Sequence, residues 1–94
     1  MIDKFNKVPI EDDTTILFQT KAKLGKHDIL YQKWFWDGIT AESIIFDNED
    51  IDDLEEEEII KEVKAAPLLK KDSEITLKRS GTGYTFVNFN FETE

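Results

Sequence analysis

The chain has 94 residues, enough for one domain, with 21 acidic and 12 basic side chains and a net charge of −9. It has no cysteine, so neither a disulfide framework nor a thiolate metal site is available. The net acidity argues against general electrostatic binding to nucleic acid or an anionic membrane, and it leaves basic proteins as the permitted charged partners.

Met1-Ile2-Asp3-Lys4 is not a basic segment leading into an apolar run, so no signal peptide is expected. No apolar stretch approaches the ~20 residues of a membrane span. The expectation is a soluble cytoplasmic protein with no membrane partner. Residues 1–13 mix Phe5, Val8 and Ile10 with charges and Pro9, and read as an irregular arm with a short edge strand at Val8–Ile10. Thr14–Ala22 is rich in β-branched residues and reads as the first strand, with Lys21 and Lys23 sharing a face. Leu24-Gly25-Lys26-His27 is a turn, and His27 is expected on the surface.

Asp28–Trp36 is the second strand. Asp37-Gly38 between two apolar runs favours a two-residue type I′ hairpin turn. That turn sets a register in which Trp36 faces Ile39, Trp34 faces Ala41, Tyr31 faces Ile44 and Leu30 faces Ile45. It also places Lys33 opposite Glu42, an opposite-charge cross-strand pair. Both faces of the hairpin are then substantially apolar.

The next twelve residues, Asp47 to Glu58, contain nine acids: Asp47, Glu49, Asp50, Asp52, Asp53, Glu55, Glu56, Glu57 and Glu58. The rest of the chain carries 12 acids against 12 bases, so the whole charge imbalance resides in this stretch. Acidic side chains suit a helix N-terminus, where free N–H groups and the positive end of the dipole lie. Ile59, Ile60, Val63 and Ala66 recur at helical spacing, while Leu54 points away from them. The helix is therefore expected to start near Asp52 or Asp53, after an approach loop over 47–51, and to end at Ala66 before Pro67. Glu57 and Lys61 are spaced as a helical ion pair.

Glu74–Arg79 and Tyr84–Phe91 read as strands joined by a three-residue loop, Gly81 to Gly83, with Gly83 left-handed. That loop pairs Leu77 with Val87 and Ile75 with Phe89. It places Ile75, Leu77, Val87, Phe89 and Phe91 on one face, with Tyr84, Phe86, Asn88 and Asn90 on the other. The predicted fold is α+β: a single antiparallel sheet of four or five strands with one helix on one face, in the order β-β-β-α-β-β. The expected core is Ile16, Phe18, Leu30, Trp34, Ile45, Ile59, Ile60, Val63, Ile75, Leu77, Val87 and Phe89.

Chemistry is sparse. The EF-hand pattern fails on the acidic run, which has Ile51 at the fifth position and Asp52 at the sixth, so no metal site is expected. Ser80-Gly81-Thr82-Gly83 matches neither a P-loop nor a dinucleotide fingerprint. His27 has no second ligand at metal spacing, and no nucleophile–base constellation is visible. No enzyme activity and no cofactor are expected. The leading expectation is a small non-catalytic binding or inhibitory protein presenting the nine acids of Asp47–Glu58 to a basic surface on a partner protein, in the manner of nucleic-acid phosphates. The ordinary alternative is a solvated helix start; against it, capping needs only one or two acids, and nine at close spacing repel one another. A second expectation is a structural or assembly module that self-associates or docks through Trp34, Trp36, Tyr84 and Phe86, because one helix cannot cover both faces of the sheet. Stacking of single-stranded bases on Tyr84 and Phe86 beside Lys78 is the poorer reading for so acidic a chain. The composition would also suit an accessory protein of a mobile element.

Overall fold

The computed structural model describes residues 4–9 and 11–93. It shows an antiparallel sheet of five strands in the spatial order β1-β2-β3-β5-β4. The strands are β1 (Thr15–Leu24), β2 (His27–Trp36), β3 (Ile39–Asp47), β4 (Thr76–Arg79) and β5 (Tyr84–Thr93). Between β3 and β4 come a single helical turn, α1 (Asn48–Ile51), and a helix, α2 (Glu56–Lys64). The fold is α+β, as the residue pattern predicts.

Local turn chemistry sets the register. Asp37 and Gly38 both have positive φ, 50° and 76°, the type I′ combination whose twist suits a hairpin. The β2–β3 pairs are those that this turn implies, from Trp36 opposite Ile39 to Leu30 opposite Ile45. At the second hairpin Ser80 N–H donates to the Tyr84 carbonyl at 2.8 Å, closing a three-residue loop in which Gly83 has φ of 102°. Leu77 accordingly faces Val87.

The core lies between the sheet and the two helical segments. Ile29, Ile44, Phe46, Val87 and Phe89 from the central strands meet Ile51, Ile59 and Val63. The other face of the sheet buries a smaller cluster of Leu30, Ile45, Phe5 and Tyr84. Half of the expected core is buried: Leu30, Ile45, Ile59, Val63, Val87 and Phe89. Ile16, Trp34, Ile60, Ile75 and Leu77 are only half-buried, and Phe18 is 56% exposed. The reason is geometric. A nine-residue helix is about 13 Å long and about 10 Å wide, whereas five strands span roughly 19 Å. The central strands are covered and edge strand β1 is not. A bulge at Leu17 adds to this, sending Ile16 opposite Trp34 but Phe18 opposite Lys33, so the two fall on different faces.

Three further expectations need correction. The helix does not run continuously from Asp52. The chain breaks over 52–55, and the break turns Leu54 onto the core that a continuous helix would deny it. His27 is buried at 6% exposure, edge-on to Phe46 at 6.1 Å, because β2 starts opposite Leu24 and directs the imidazole onto the helix-covered face. The arm forms turns over residues 4–7, and Val8 and Pro9 are not in a strand; Ile10 lies outside the described residues.

A second bulge occurs in β5. Thr40 faces Glu92 whereas Glu42 faces Phe89, so one residue of β5 is extra between them. Asn90, with φ of 54°, takes the strained position, which asparagine tolerates better than most residues. It does not continue the face of Asn88, as simple alternation would require. Its amide nitrogen donates to Glu42 Oε2 at 2.6 Å and to the Leu68 carbonyl at 2.8 Å, and its Oδ1 accepts from Lys70 N–H at 2.8 Å. This one buried side chain fastens the 68–73 loop to the sheet.

Candidate functional site

The acidic segment is built on a firmly held backbone. Asp47 caps α1, its Oδ1 accepting from Glu49 N–H at 2.9 Å. Asn48 N–H donates to the Gly83 carbonyl at 2.9 Å, and Asn48 Oδ1 accepts from the fully buried Thr85 hydroxyl at 2.5 Å. Ile51 is completely buried, which pins the end of α1. Arg79 reaches across from β4 to donate to the Leu54 carbonyl at 2.7 Å, which pins the break between the helical segments. Ile59 and Val63 pin α2. Hydrophobic burial and the bonds of Asn48 and Arg79 thus hold the segment, and of its carboxylates only Asp47, as a cap, and Asp50, through Lys4, take part in holding it.

The carboxylates themselves face water. Asp47 is half-buried, and the other eight acids are exposed. Asp50 is the paired one: it accepts from Lys4 Nζ at 2.5 Å, a bond that raises the lysine above its ordinary pKa. Glu49, Asp52, Asp53, Glu55, Glu56, Glu57 and Glu58 make no side-chain ion pair among the described residues. The expected Glu57–Lys61 pair is not formed there, and Glu55 precedes α2 without a side-chain capping bond. Asp52, Leu54, Glu55, Glu56, Glu57 and Arg79 line a shallow depression in which Arg79 is the basic member. Among the described residues no three His, Cys, Asp or Glu side chains are arranged to hold a metal ion.

The aromatic candidates divide. Tyr84 is sealed at 6% exposure beneath Phe5, whose ring lies 6.3 Å from its own. Its hydroxyl donates to the Lys4 carbonyl at 2.6 Å, so the arm docks on it. Trp34, Trp36 and Phe86 do come together, on the sheet face away from α2, where they line a cleft of about 280 Å³ with Pro9 and Glu11 of the arm region at its edge. Trp36 is 43% exposed. Trp34 is held in place by its indole N–H, which donates to Ser43 Oγ at 2.6 Å. Lys78 lines the same cleft, which places a cation beside Phe86.

Some functional geometry has no simple sequence signature. Glu42 sits opposite Lys33 in register, but its carboxylate accepts from the Tyr31 hydroxyl and from Asn90. Burial first, and then this bond to Glu42, push the Tyr31 phenol above the usual tyrosine range. The β5 bulge is what brings Asn90 to Glu42, and nothing in the alternation of residues 84–91 announces it.

No helix among the described residues is long and apolar enough to cross a membrane. Compared with protein-family models, with curated proteins and with solved structures, the chain matched none.

Proposed function

We propose that this chain is a non-catalytic binding protein of the cytoplasm, whose acidic segment, Asp47–Glu58, engages a basic surface on a protein partner. One observation carries the reading: seven carboxylates make no ion pair among the described residues and stand on a backbone anchored by Asn48, Ile51, Leu54, Ile59 and Val63. Like charges in adjacent helical turns repel by a few tenths of a kcal/mol per pair, so the display opposes folding and needs a compensating use. A rigid display also spares the partner complex the entropy of ordering a flexible tail. Charge of this density steers association and sets its salt dependence.

The test is a pull-down at low and moderate salt, with nuclease present, comparing the wild type with a variant carrying Glu55→Lys, Glu56→Lys, Glu57→Lys and Glu58→Lys. A basic protein retained by the wild type, released by salt and lost from the variant is the expected result. Retention that ignores charge reversal, or no retention at either salt, would sink the proposal.

A further inference from the structure

β1 is an edge strand of ten residues, whereas β4, at the other edge, has four. Eight of the ten residues of β1 are exposed, among them Leu17 at 53% and Phe18 at 56%. Long open edges invite pairing with another strand, and natural sheets shorten, cover, bulge or charge them. This edge is neither short nor covered among the described residues; it carries the bulge at Leu17 and the charges of Lys21 and Lys23.

The hairpins on either side of β2 both have two-residue turns, so Leu24 exchanges ladder bonds with His27, and Trp36 with Ile39. Both turns assign the odd-numbered residues of β2 to β1 and the even-numbered ones to β3. On β1, therefore, Leu24, Ala22, Thr20, Phe18 and Thr15 bond inward, to His27, Ile29, Tyr31, Lys33 and Phe35. Lys23, Lys21, Gln19 and Ile16 turn their backbone N–H and C=O groups outward. The bulge places the outward positions Ile16 and Gln19 equally far from the middle of the Leu17–Phe18 peptide. Charge is opposed about the same point: Glu11, Asp12 and Asp13 precede β1, while Lys21 and Lys23 stand near its end and Lys26 just beyond it.

We propose that β1 is the interface with a second copy of this chain: two copies pair β1 with β1, antiparallel, about a two-fold axis at the Leu17–Phe18 peptide. Ile16 of each copy exchanges both ladder bonds with Gln19 of the other. Leu17 of each lies opposite Phe18 of the other, so the two exposed apolar side chains meet their counterparts. Lys21 falls opposite Thr14, and Lys23 opposite Asp12 with Asp13 beside it. Lys23 holds Asp28 of its own chain at 3.2 Å, but its side chain is 72% exposed and can take a second carboxylate. An unrelated strand has no bulge at the matching place and falls out of step, whereas a second copy brings the same bulge. Pairing two copies about Lys21 instead would set lysine against lysine. The net charge of −9 does not oppose this geometry. β3 and its counterpart lie five strand spacings apart, roughly 24 Å, and the acidic segments leave opposite ends of the joined sheet, several Debye lengths of about 8 Å from one another. The interface shares no residue with the acidic segment and stands whether or not that segment has a partner.

The test is sedimentation equilibrium of the full chain from about 10 µM to about 1 mM, with amide hydrogen exchange at both ends of that range. One edge strand buries less than a standard interface, so a reversible monomer–dimer equilibrium within that range is expected. The Ile16 and Gln19 amides should exchange freely in the dilute protein and several-fold more slowly in the concentrated one, whereas Phe18 and Thr20 should be protected in both. Leu17→Asp, at an exposed position that leaves the ring contact of Phe18 with Tyr31 in place, should weaken dimerisation by about tenfold or more. Lys23→Glu should weaken it several-fold, because it turns an attractive contact in each half of the dimer into a repulsive one, and adding Asp12→Lys should restore it. A monomer at 1 mM, a dimer in which the Ile16 and Gln19 amides stay unprotected, a dimer indifferent to Leu17→Asp, or a charge swap that restores nothing would each overturn the assignment.

Discussion

The hydrogen bond from Thr85 to Asn48 is the contact to break first, because it ties the start of the acidic segment to the sheet. Thr85 is completely buried, and its hydroxyl donates to Asn48 Oδ1 at 2.5 Å. Asn48→Ala removes that acceptor without harming α1 itself, since alanine is the best helix former and the capping bond from Asp47 is untouched. What remains is a buried hydroxyl without its side-chain acceptor, a loss of about 1–3 kcal/mol. Taking about 2 kcal/mol, Tm should fall by about 8–16 °C for a domain of this size. Thr85→Val removes the hydroxyl at nearly constant shape and leaves only the half-buried Asn48 carbonyl, which water can reach, so it should cost about 1 kcal/mol or less. The double variant should then lie within about 0.5 kcal/mol of Thr85→Val alone, giving a coupling of about 1–2 kcal/mol. Urea denaturation of the four proteins measures the cycle. Additive costs, or an Asn48→Ala loss below about 0.5 kcal/mol, would show that the contact does not anchor the segment.

Three other outcomes are expected. Tyr31 holds its proton more tightly in the folded than in the unfolded chain, so the stability it contributes is complete below the ordinary tyrosine pKa of about 10 and is lost as pH rises above that; tyrosinate absorbance should show Tyr31 titrating late, and Tyr31→Phe should flatten the alkaline loss of stability. Gly38→Ala should cost about 1 kcal/mol by chemical denaturation, all of it from the positive φ of 76°, because an added Cβ meets nothing within 4 Å. Phe5→Ala should cost about 3–5 kcal/mol, the usual loss for a buried phenylalanine, and it should expose Tyr84 to solvent quenchers.

The parts of the fold that were legible in the sequence are those decided within a few residues. Asp37-Gly38 specifies a turn type, the turn type specifies a register, and the register places every side chain from Ile29 to Phe46. Gly81–Gly83 does the same for β4 and β5. The illegible parts are decided by partners distant in sequence. Whether Leu54 sits in a helix depends on whether the core has room for it, and Ile51 together with Ile59 creates that room. The Asn90 bulge depends on Glu42, Leu68, Lys70 and Ser73, none of which is near it in sequence. His27 reads as a surface residue because it closes the turn Leu24-Gly25-Lys26-His27 beside the charged Asp28; the face it lands on is fixed by its pairing with Leu24. Of the candidate site, the acidic segment was legible as a run of charge. That seven of its carboxylates make no ion pair among the described residues, and that its backbone is anchored, was not.

The same cause underlies both candidate surfaces. A sheet that is apolar on two faces needs two covers, and the described residues supply two short helical segments for one face and a short arm for the other. The helix takes the face of Ile29, Ile44 and Val87, and its charged outer side becomes the acidic display. The arm takes only the corner of Leu30, Ile45 and Tyr84, fixed by Phe5 and by the Lys4 bond to Asp50. Between the docked arm and the far end of β2, the second face stays open, and the row of Gln32, Ser43 and Asn88 occupies that opening. Polar side chains in that row fit a face that was never going to be fully covered: apolar residues there would have joined Trp36 into a larger exposed patch prone to association. The alternation along β4 separates the two surfaces, since Lys78 points into the cleft while its neighbour Arg79 points to the acidic segment. The cleft and the acidic segment therefore draw on different side chains of the same strand.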